Sequence, residues 1–465
     1  MKLSLAITVC AAAFALALIG VSGAAQAAAK TPRLTALRCV PTTAKACRGG
    51  VRVSVGKQLQ LRGRGLRRGM RVSFRWPRGA LATKLARTRA GWTARVPAGT
   101  ALGKVAVSVS DRAGRRSNKR HVVVVASSAL PPLTAARPGA LPAAFAGDGM
   151  WIWYVSKSEG GNLDAIALRA KAAGMSTVFV KSADRGTVWS QFSPQLVADL
   201  HARGLRVCAW QFVYGQDPIA EAGAAIASIA AGADCFVIDA ETAYEGRYAA
   251  AQRYMAALRG AIGPSYPLGF TSFPYVDYHP RLPYSVFLGP GGAQANMPQV
   301  YWKAIGGSVD AVSAKTVANN RIYRAPIAPI GQSYDAPPAA DLRRFRSVWA
   351  GYGAGGLSWW SWQASAPASW SVLSEGAPAP AALPDPGWPA LSRGSTGDQV
   401  IWLQQHLASA DPAVALDGRF TVATESALKA FQSARGLAPT GETDAATWQA
   451  LLTLALRPVD WTAAR

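Results

Sequence analysis

Several kinds of catalytic chemistry are missing from this sequence of 465 residues, which contains only four histidines and five cysteines. No histidines show H-E-x-x-H spacing and no cysteines show C-x-x-C spacing, so a zinc site is not expected. There is no G-x-S-x-G elbow for a serine nucleophile. No glycine-rich phosphate loop follows the first strand predicted in the central region. We therefore expect no metal and no cofactor, which leaves carboxylates as candidate catalytic groups.

Acidic residues are almost absent from one segment. Residues 30–120 contain 24 Lys and Arg but a single acid, Asp111, and so account for +23 of the total net charge of +25. Short runs with alternating apolar residues, such as RVSFRW and KVAVSVS, are separated there by Gly, Pro and Arg. This pattern predicts a small all-β sandwich, the basic β-domain, over residues 29–127.

The N-terminus has the features of a secretory signal peptide. Lys2 precedes a long apolar run, and Ala25-Gln26-Ala27 has the small-x-small form of a cleavage site. We predict a signal peptide over residues 1–28, with an uncleaved membrane anchor as the alternative. After cleavage no transmembrane segment would remain, and the protein would act outside the cytoplasm.

Four cysteines would remain after cleavage. Cys39 and Cys47 flank a short turn, which in a secreted protein predicts a local disulfide between them. Cys208 and Cys235 lie in two consecutive predicted strands, where a disulfide and buried free thiols are both compatible with the sequence.

Strand-like and helix-like segments alternate about eight times in residues 148–372. The strand candidates are continuous apolar runs such as STVFVK and DCFVIDAE, and amphipathic segments such as LDAIALRAKAAG lie between them. Continuous apolar strands that alternate with helices predict a buried parallel sheet. Eight repeats favour a (β/α)8 barrel over a doubly wound open sheet. Segments rich in Pro and Ala, 128–147 and 373–390, are predicted linkers.

Three short helices are predicted in residues 391–455, followed by a tail over residues 456–465. The ordered features are Gly394, Gly397, the pairs Leu403-Gln404 and Phe431-Gln432, and Thr447-Trp448. This pattern resembles the three-helix peptidoglycan-binding domain of cell-wall hydrolases. The resemblance implies binding to peptidoglycan, and the alternative is a helical spacer.

Two acidic residues end the fourth predicted strand of the barrel. Asp239 and Glu241 are two positions apart, so an extended strand directs both side chains to the same face. Catalytic residues of such barrels lie at the carboxyl ends of the strands. Two carboxylates there suit glycoside hydrolysis, in which one acid protonates the leaving oxygen. The second could act as a nucleophile, a base or the orienter of a substrate N-acetyl group.

Other strand ends and strand tryptophans supply candidate substrate-binding residues. Tryptophan can stack on sugar rings, although any one tryptophan could equally belong to the barrel core. The predicted substrate-binding residues are Lys181, Asp184, Trp153, Trp210, Tyr301, Trp302, Trp362 and Gln363.

The barrel resembles lysozyme-type (β/α)-barrel muramidases in three segments, FVKSADRG, IDAE and WSWQ. The resemblance implies that Glu241 is the general acid and Asp239 its partner. This sequence departs from the family at the end of the first strand, where Tyr154 stands near the position of an aspartate. Another acid such as Glu159 would then substitute, or the mechanism would differ, or the barrel would be inactive.

Together these observations predict a secreted cell-wall glycoside hydrolase that is muramidase-like and is targeted by its C-terminal domain. The alternative is a non-catalytic peptidoglycan-binding scaffold whose barrel binds glycan without cleaving it. The expected partner of residues 30–120 is an anionic wall polymer, with a solvated spacer surface and nucleic acid as alternatives. Few aromatic residues accompany the arginines, which makes nucleic acid the weakest of the three.

Overall fold

The computed structural model describes residues 31–40, 51–54, 57–77, 79–97, 100–101, 103–125 and 139–463. The predicted signal peptide and Cys47 lie outside the described residues, so the signal peptide and the Cys39–Cys47 disulfide stay predictions. Within these ranges every helix is too short or too polar to span a lipid bilayer.

The basic segment folds into β-strands that form two sheets. One sheet has the order β1-β3-β7-β6 and the other the order β2-β9-β8-β4-β5. Alternate side chains, among them Val72, Phe74 and Val107, are fully buried in one apolar cluster, as the period of an extended strand requires. The arrangement is compatible with the predicted sandwich. The strands are β1 (Arg33–Cys39), β2 (Arg52–Ser54), β3 (Gln58–Arg64), β4 (Arg71–Trp76), β5 (Gly79–Lys84), β6 (Ala86–Thr88), β7 (Gly91–Arg95), β8 (Gly103–Ser110) and β9 (Arg120–Val125).

The central region contains a curled parallel sheet, consistent with an α/β barrel. Its order is β16-β15-β14-β13-β11-β10-β19-β18-β17, and β12 pairs with β11 as an antiparallel extension. The two end strands of this order, β16 and β17, are consecutive parts of one short segment. Ala295 and Asn296 pair with β15, and Gln299 and Val300 pair with β18, so the two ends of the sheet meet in this segment. The strands are β10 (Gly147–Ile152), β11 (Met175–Asp184), β12 (Thr187–Val188), β13 (Arg206–Val213), β14 (Cys235–Ala240), β15 (Leu268–Thr271), β16 (Ala295–Asn296), β17 (Gln299–Val300), β18 (Ile330–Gln332) and β19 (Gly356–Trp360).

Helices cover the outside of this sheet. Several begin at caps that the sequence supplies: Asn162, Ser193 and Asp217 each accept a hydrogen bond from a backbone N–H of the first turn. The helices of the barrel are α1 (Leu163–Ala172), α2 (Pro194–Ala202), α3 (Pro218–Ala230), α4 (Tyr248–Ile262), α5 (Tyr284–Phe287), α6 (Trp302–Ile305), α7 (Val309–Asn320), α8 (Ala339–Gly351) and α9 (Pro367–Leu373).

The interior of the barrel contains large aromatic side chains. Trp151 stacks on Phe179 with ring centroids 5.0 Å apart, and Trp210 packs against the same indole. Cys208 and Cys235, opposite each other on β13 and β14, form a disulfide with Cα atoms 4.5 Å apart. The sequence alone left this pairing open beside free thiols.

The C-terminal domain consists of α10 (Asp398–Ala410), α11 (Val422–Ala434) and α12 (Ala445–Leu451). Its first helix is buried from Asp398 to Ala408, because α11 and α12 cover one face while the barrel covers another. One apolar cluster runs from the barrel into this domain without interruption. The predicted linker lies against the barrel, where the Ala381 N–H donates to the Ser347 carbonyl.

Polar contacts define the seam between the barrel and the C-terminal domain. The Asp398 carboxylate accepts hydrogen bonds from the Ser285 N–H, the Ser285 hydroxyl and the Tyr323 hydroxyl, at 2.6–2.8 Å. The Asp398 N–H in turn donates to the Pro280 carbonyl. Gly397 has a φ of +106°, and a Cβ at this position would lie 2.3 Å from the Pro280 oxygen. The backbones of the two domains thus meet closely at this glycine.

Candidate active site

A cavity of about 390 Å³ opens at the carboxyl ends of the barrel strands. Strand-end residues face a common centre in such barrels, and the interior here contains both titratable and aromatic groups. The lining residues are Trp151, Trp153, Lys181, Asp184, Trp210, Phe212, Tyr214, Asp239, Glu241, Thr271, Gln299, Tyr301, Ile330 and Trp360.

Asp239 and Glu241 share this cavity because they alternate at the end of β14. Asp239 is 5% exposed, whereas Glu241 is half-buried nearer the opening. The Gln299 side-chain nitrogen donates to Asp239 Oδ1 at 3.2 Å and to Glu241 Oε1 at 3.0 Å. One amide group from the segment of β16 and β17, two strands away from β14 in the sheet, therefore holds both carboxyl groups together.

The environment raises the pKa of both carboxyl groups. Burial raises the pKa of Asp239 well above its ordinary value, and the nearby Glu241 charge raises it further, while Lys181 opposes the shift. Burial also raises the pKa of Glu241, opposed by the Gln299 hydrogen bond and by His279. The shifts of both groups favour their protonated forms, and the charge of Glu241 disfavours ionisation of Asp239.

Lys181 is a buried cation beside the acidic pair. Its ammonium group is surrounded by aromatic rings, with the centroids of Trp153, Trp189 and Trp210 at 4.7–5.0 Å. Its Nζ forms an ion pair with Asp184 Oδ2 at 2.7 Å. The cation–π contacts and the ion pair stabilise a charge that burial would otherwise make costly.

Trp153 is the most exposed of the tryptophans that line the cavity. Trp153 is 37% exposed at the rim, whereas Trp210 is 1% exposed and lies in the floor with its Nε1 donating to the Ile152 carbonyl. Trp360 packs against both rings, with centroids at 5.4–5.7 Å. Burial raises the pKa of Tyr301 well above its ordinary value, so its hydroxyl stays protonated and able to donate.

The structure does not bring every predicted residue to the cavity. Trp302 is buried under α8, where it stacks on Phe345 and donates to Asp341. Trp362 donates to Glu159 and packs on Trp370 outside the lining. Gln363 is also outside it, and its Oε1 accepts a hydrogen bond from the Trp153 N–H. The residues brought together are Asp239, Glu241, Lys181, Asp184, Trp153, Trp210 and Tyr301.

Among the described residues, the end of the first barrel strand, β10, places no acidic side chain in the cavity. Glu159, considered as a substitute for the missing aspartate, forms an ion pair with Arg169 and is outside the lining. Tyr154 stacks on Trp153 with ring centroids 5.8 Å apart. In the described residues, Asp184, Asp239 and Glu241 are the carboxyl groups of the cavity.

Gln299, which contacts both carboxyl groups, is a lining residue that sequence reasoning missed. The run MPQVYW was predicted as a strand, but its glutamine carried no catalytic pattern of its own. The available signal was its spacing of two from Tyr301, which directs both side chains to one face of an extended segment. The described residues contain no cluster of His, Cys, Asp and Glu suited to hold a metal ion.

Comparisons with known proteins give one match in sequence and several in structure. Residues 396–451 match the family model of a peptidoglycan binding domain. None of the curated proteins matches the chain. Similar solved structures include a chitinase from Chromobacterium violaceum, with 14% identity, a TM-score of 0.38 and coverage of 49% of this chain and 98% of the chitinase.

Two further structures are similar at comparable levels. The spore cortex-lytic enzyme SleL of Bacillus cereus has 12% identity and a TM-score of 0.38, over 52% of this chain and 76% of SleL. A family 39 glycoside hydrolase from Bacteroides cellulosilyticus has 11% identity and a TM-score of 0.37, over 73% and 82%. Such values assign no chemistry to this chain. The protein thus carries a peptidoglycan-binding domain beside a barrel whose structural neighbours are glycoside hydrolases.

Proposed function

We propose that the protein is a secreted cell-wall glycoside hydrolase, muramidase-like, that cleaves peptidoglycan or a related wall polysaccharide. The observation that carries this proposal is the Asp239–Glu241 pair, joined by Gln299 in an aromatic cavity. A peptidoglycan-binding domain packed on the same barrel supports a wall substrate and a location in the cell wall.

The two carboxyl groups take different roles because they lie at different depths. Glu241 is nearer the opening and is the group that protonates the leaving oxygen. Asp239 is deeper and lies beside Tyr301. It orients the N-acetyl group of the substrate or stabilises the charge that develops on the sugar, and Tyr301 donates a hydrogen bond to the same sugar.

The hydrogen bonds of Gln299 restrict the stereochemistry. Both carboxylate oxygens lie within hydrogen-bond distance of one nitrogen, at 3.2 and 3.0 Å. Inverting enzymes separate their carboxyl groups by roughly 6.5–9.5 Å, which leaves room for a water molecule on the opposite face of the sugar. The closer pair favours retention of the anomeric configuration, by a nucleophilic carboxylate or by the substrate's own N-acetyl group.

The enzyme hypothesis is tested by Glu241→Gln, which keeps the shape of the side chain and removes the proton donor. Purified full-length protein is incubated with isolated cell walls and the release of reducing ends is measured. We expect Glu241→Gln to lower the rate by about 10²–10⁴-fold. The exposed Glu442→Gln serves as the matched control and should keep the wild-type rate.

A non-catalytic scaffold is the competing function. If the wild-type protein sediments with walls but releases no reducing ends, the peptidoglycan-binding domain remains and the hydrolase proposal fails. Equal release by Glu241→Gln and wild type would likewise contradict the role of Glu241.

For the basic β-domain we propose binding to anionic wall polymers. Exposed cations lie opposite each other on neighbouring strands, Arg71 against Lys84 and Arg33 against Arg64. Like charges in such cross-strand pairs repel, and a bound polyanion would relieve the repulsion. Asp111, the acid of this segment, is already paired with Arg115. Removal of anionic polymers from the walls should weaken binding, and unchanged binding to stripped walls would contradict the proposal.

A further inference from the structure

A second cavity lies between the barrel and the C-terminal domain. Its volume is about 440 Å³, comparable with that of the catalytic cavity. The barrel contributes Asp277, Pro280 and Asn319, while the joint and the C-terminal domain contribute Trp388, Thr396 and Gln399. Neither domain alone would form this cavity, which we term the interdomain cavity.

Direct contacts between the two domains hold its walls in place. The Gln399 side-chain nitrogen donates to the Asn319 carbonyl and to Asn319 Oδ1, both at 3.2 Å. The Asn319 amide oxygen also accepts a hydrogen bond from the Asp277 N–H. On the other side Arg321 lies over the Trp388 ring at 4.2 Å and pairs with Asp385. The walls of the cavity are therefore fixed by contacts at the seam.

The lining mixes apolar and polar side chains and carries almost no free charge. Among the described residues that line the cavity none is cationic, and the one acid, Asp277, is paired with Lys315 at 3.0 Å. The remaining polar groups are hydroxyls and amides, and the indole of Trp388, which Arg321 covers on one face, lies beside them. The cations next to the lining, Lys315 and Arg321, are already paired with Asp277 and Asp385, so a peptide with several carboxylates would have to compete for them. A neutral sugar with hydroxyl and acetamido groups matches hydroxyls, amides and an indole ring.

One loop connects the interdomain cavity with the catalytic cavity. This loop follows β15 and contains His279, whose charge lowers the pKa of Glu241 and which pairs with Glu245. The next residue, Pro280, lines the interdomain cavity and accepts the hydrogen bond from Asp398. The same short loop is thus close to the acid of the catalytic pair and forms a wall of the second cavity.

We propose that the interdomain cavity is a second glycan subsite, which binds an uncharged N-acetylated sugar unit of the wall polymer. This inference rests on the proposed function and extends it: the C-terminal domain completes a binding site jointly with the barrel, in addition to anchoring the protein. The recognised chemistry, a β-linked N-acetylated amino sugar, occurs in both peptidoglycan and chitin.

The test fills the cavity from exposed positions in the full chain. Ala390→Trp and Thr396→Phe each add a large side chain to the lining, and both residues are exposed, so the cores stay intact. Ala382→Trp adds the same indole to an exposed position of the same joint outside the lining and is the control. All are made in the Glu241→Gln background, so that binding is measured without turnover.

The probe is the hexamer of β-1,4-linked N-acetylglucosamine, with binding measured by titration calorimetry. We expect both cavity variants to bind at least tenfold more weakly than the parent, and Ala382→Trp to bind equally. A second arm uses soluble peptidoglycan strands with and without their peptides, which separates a wall substrate from a chitin-like one. Removal of the peptides should leave the effect of Ala390→Trp unchanged, because the subsite binds the sugar and not the peptide.

Two outcomes overturn the proposal: equal hexamer binding by the cavity variants and the control, or an effect of Ala390→Trp only on strands that keep their peptides. Neither outcome depends on catalysis. If no form releases reducing ends but the cavity variants bind the hexamer weakly, the hydrolase proposal fails and the subsite stands.

Discussion

Two buried aspartates, Asp239 in the barrel and Asp398 in the C-terminal domain, have different environments. Asp239 in the cavity at the strand ends is 5% exposed and Asp398 in the seam is 0% exposed. Around Asp239 are one amide donor, the Glu241 carboxylate and the buried Lys181. Asp398 instead accepts three hydrogen bonds from two residues of the barrel.

The pKa values follow from these surroundings. Burial raises the pKa of Asp398 to about 6, and the hydrogen bonds from Ser285 and Tyr323 oppose the shift. For Asp239 burial and a neighbouring like charge act in the same direction. A buried carboxylate whose oxygens are fully bonded stabilises a seam, whereas one placed against a second carboxylate is available for proton chemistry. Burial alone does not distinguish the two.

The largest expected effect comes from the same substitution at both positions. Asp239→Ala should lower the rate of sugar release by about 10²–10⁴-fold and leave the free energy of unfolding nearly unchanged, because it removes a buried charge near another of the same sign. Asp398→Ala should lower the free energy of unfolding by about 3 kcal/mol, because Ser285 and Tyr323 lose a buried acceptor. Reducing-end release and denaturant unfolding measure the two effects.

The contrast between Asp239 and Asp398 is contradicted if Asp239→Ala lowers stability or Asp398→Ala lowers activity. Loss of stability in Asp239→Ala would make its carboxylate a structural group like that of Asp398. Loss of activity in folded Asp398→Ala would mean that the seam acts on the catalytic cavity directly.

A smaller effect, on the pKa of Asp239, is expected from substitution of Lys181. The Lys181 charge lowers the pKa of Asp239, so Lys181→Met should raise that pKa further. The pair then releases its last proton at a higher pH, and the alkaline limb of the pH–rate profile should move upward by about one unit. Lys181→Arg, which keeps the charge, should leave the limb in place. An unmoved limb in Lys181→Met would show that the cation does not set the protonation of the pair.

Local pattern was enough to predict the barrel and the strand end that places two carboxyl groups in its cavity. Continuous apolar strands that alternate with amphipathic helices indicate a covered parallel sheet, and a spacing of two places Asp239 and Glu241 on one face. The motif around Leu403-Gln404 and Thr447-Trp448 indicated the C-terminal domain, because its core residues recur in a fixed order.

Long-range contacts could not be predicted in this way. Gln299 meets the carboxylates only because its segment lies two strands away from β14 in the curled sheet, with β15 between them. Trp302 and Trp362 are strand-end tryptophans by sequence, but the chain turns into helical segments there and packs them outward. The seam depends on a joint that composition described as a linker, whereas its backbone and Trp388 pack against the barrel.

Gly397 limits which C-terminal domains this barrel could accept. Its positive φ is a requirement within the helical domain, but the close approach of the Pro280 carbonyl is a requirement of the barrel. A replacement domain from another protein would need a glycine here, followed by an acceptor in the place of Asp398. A domain that lacks either feature is therefore not expected to pack on this barrel in the same way.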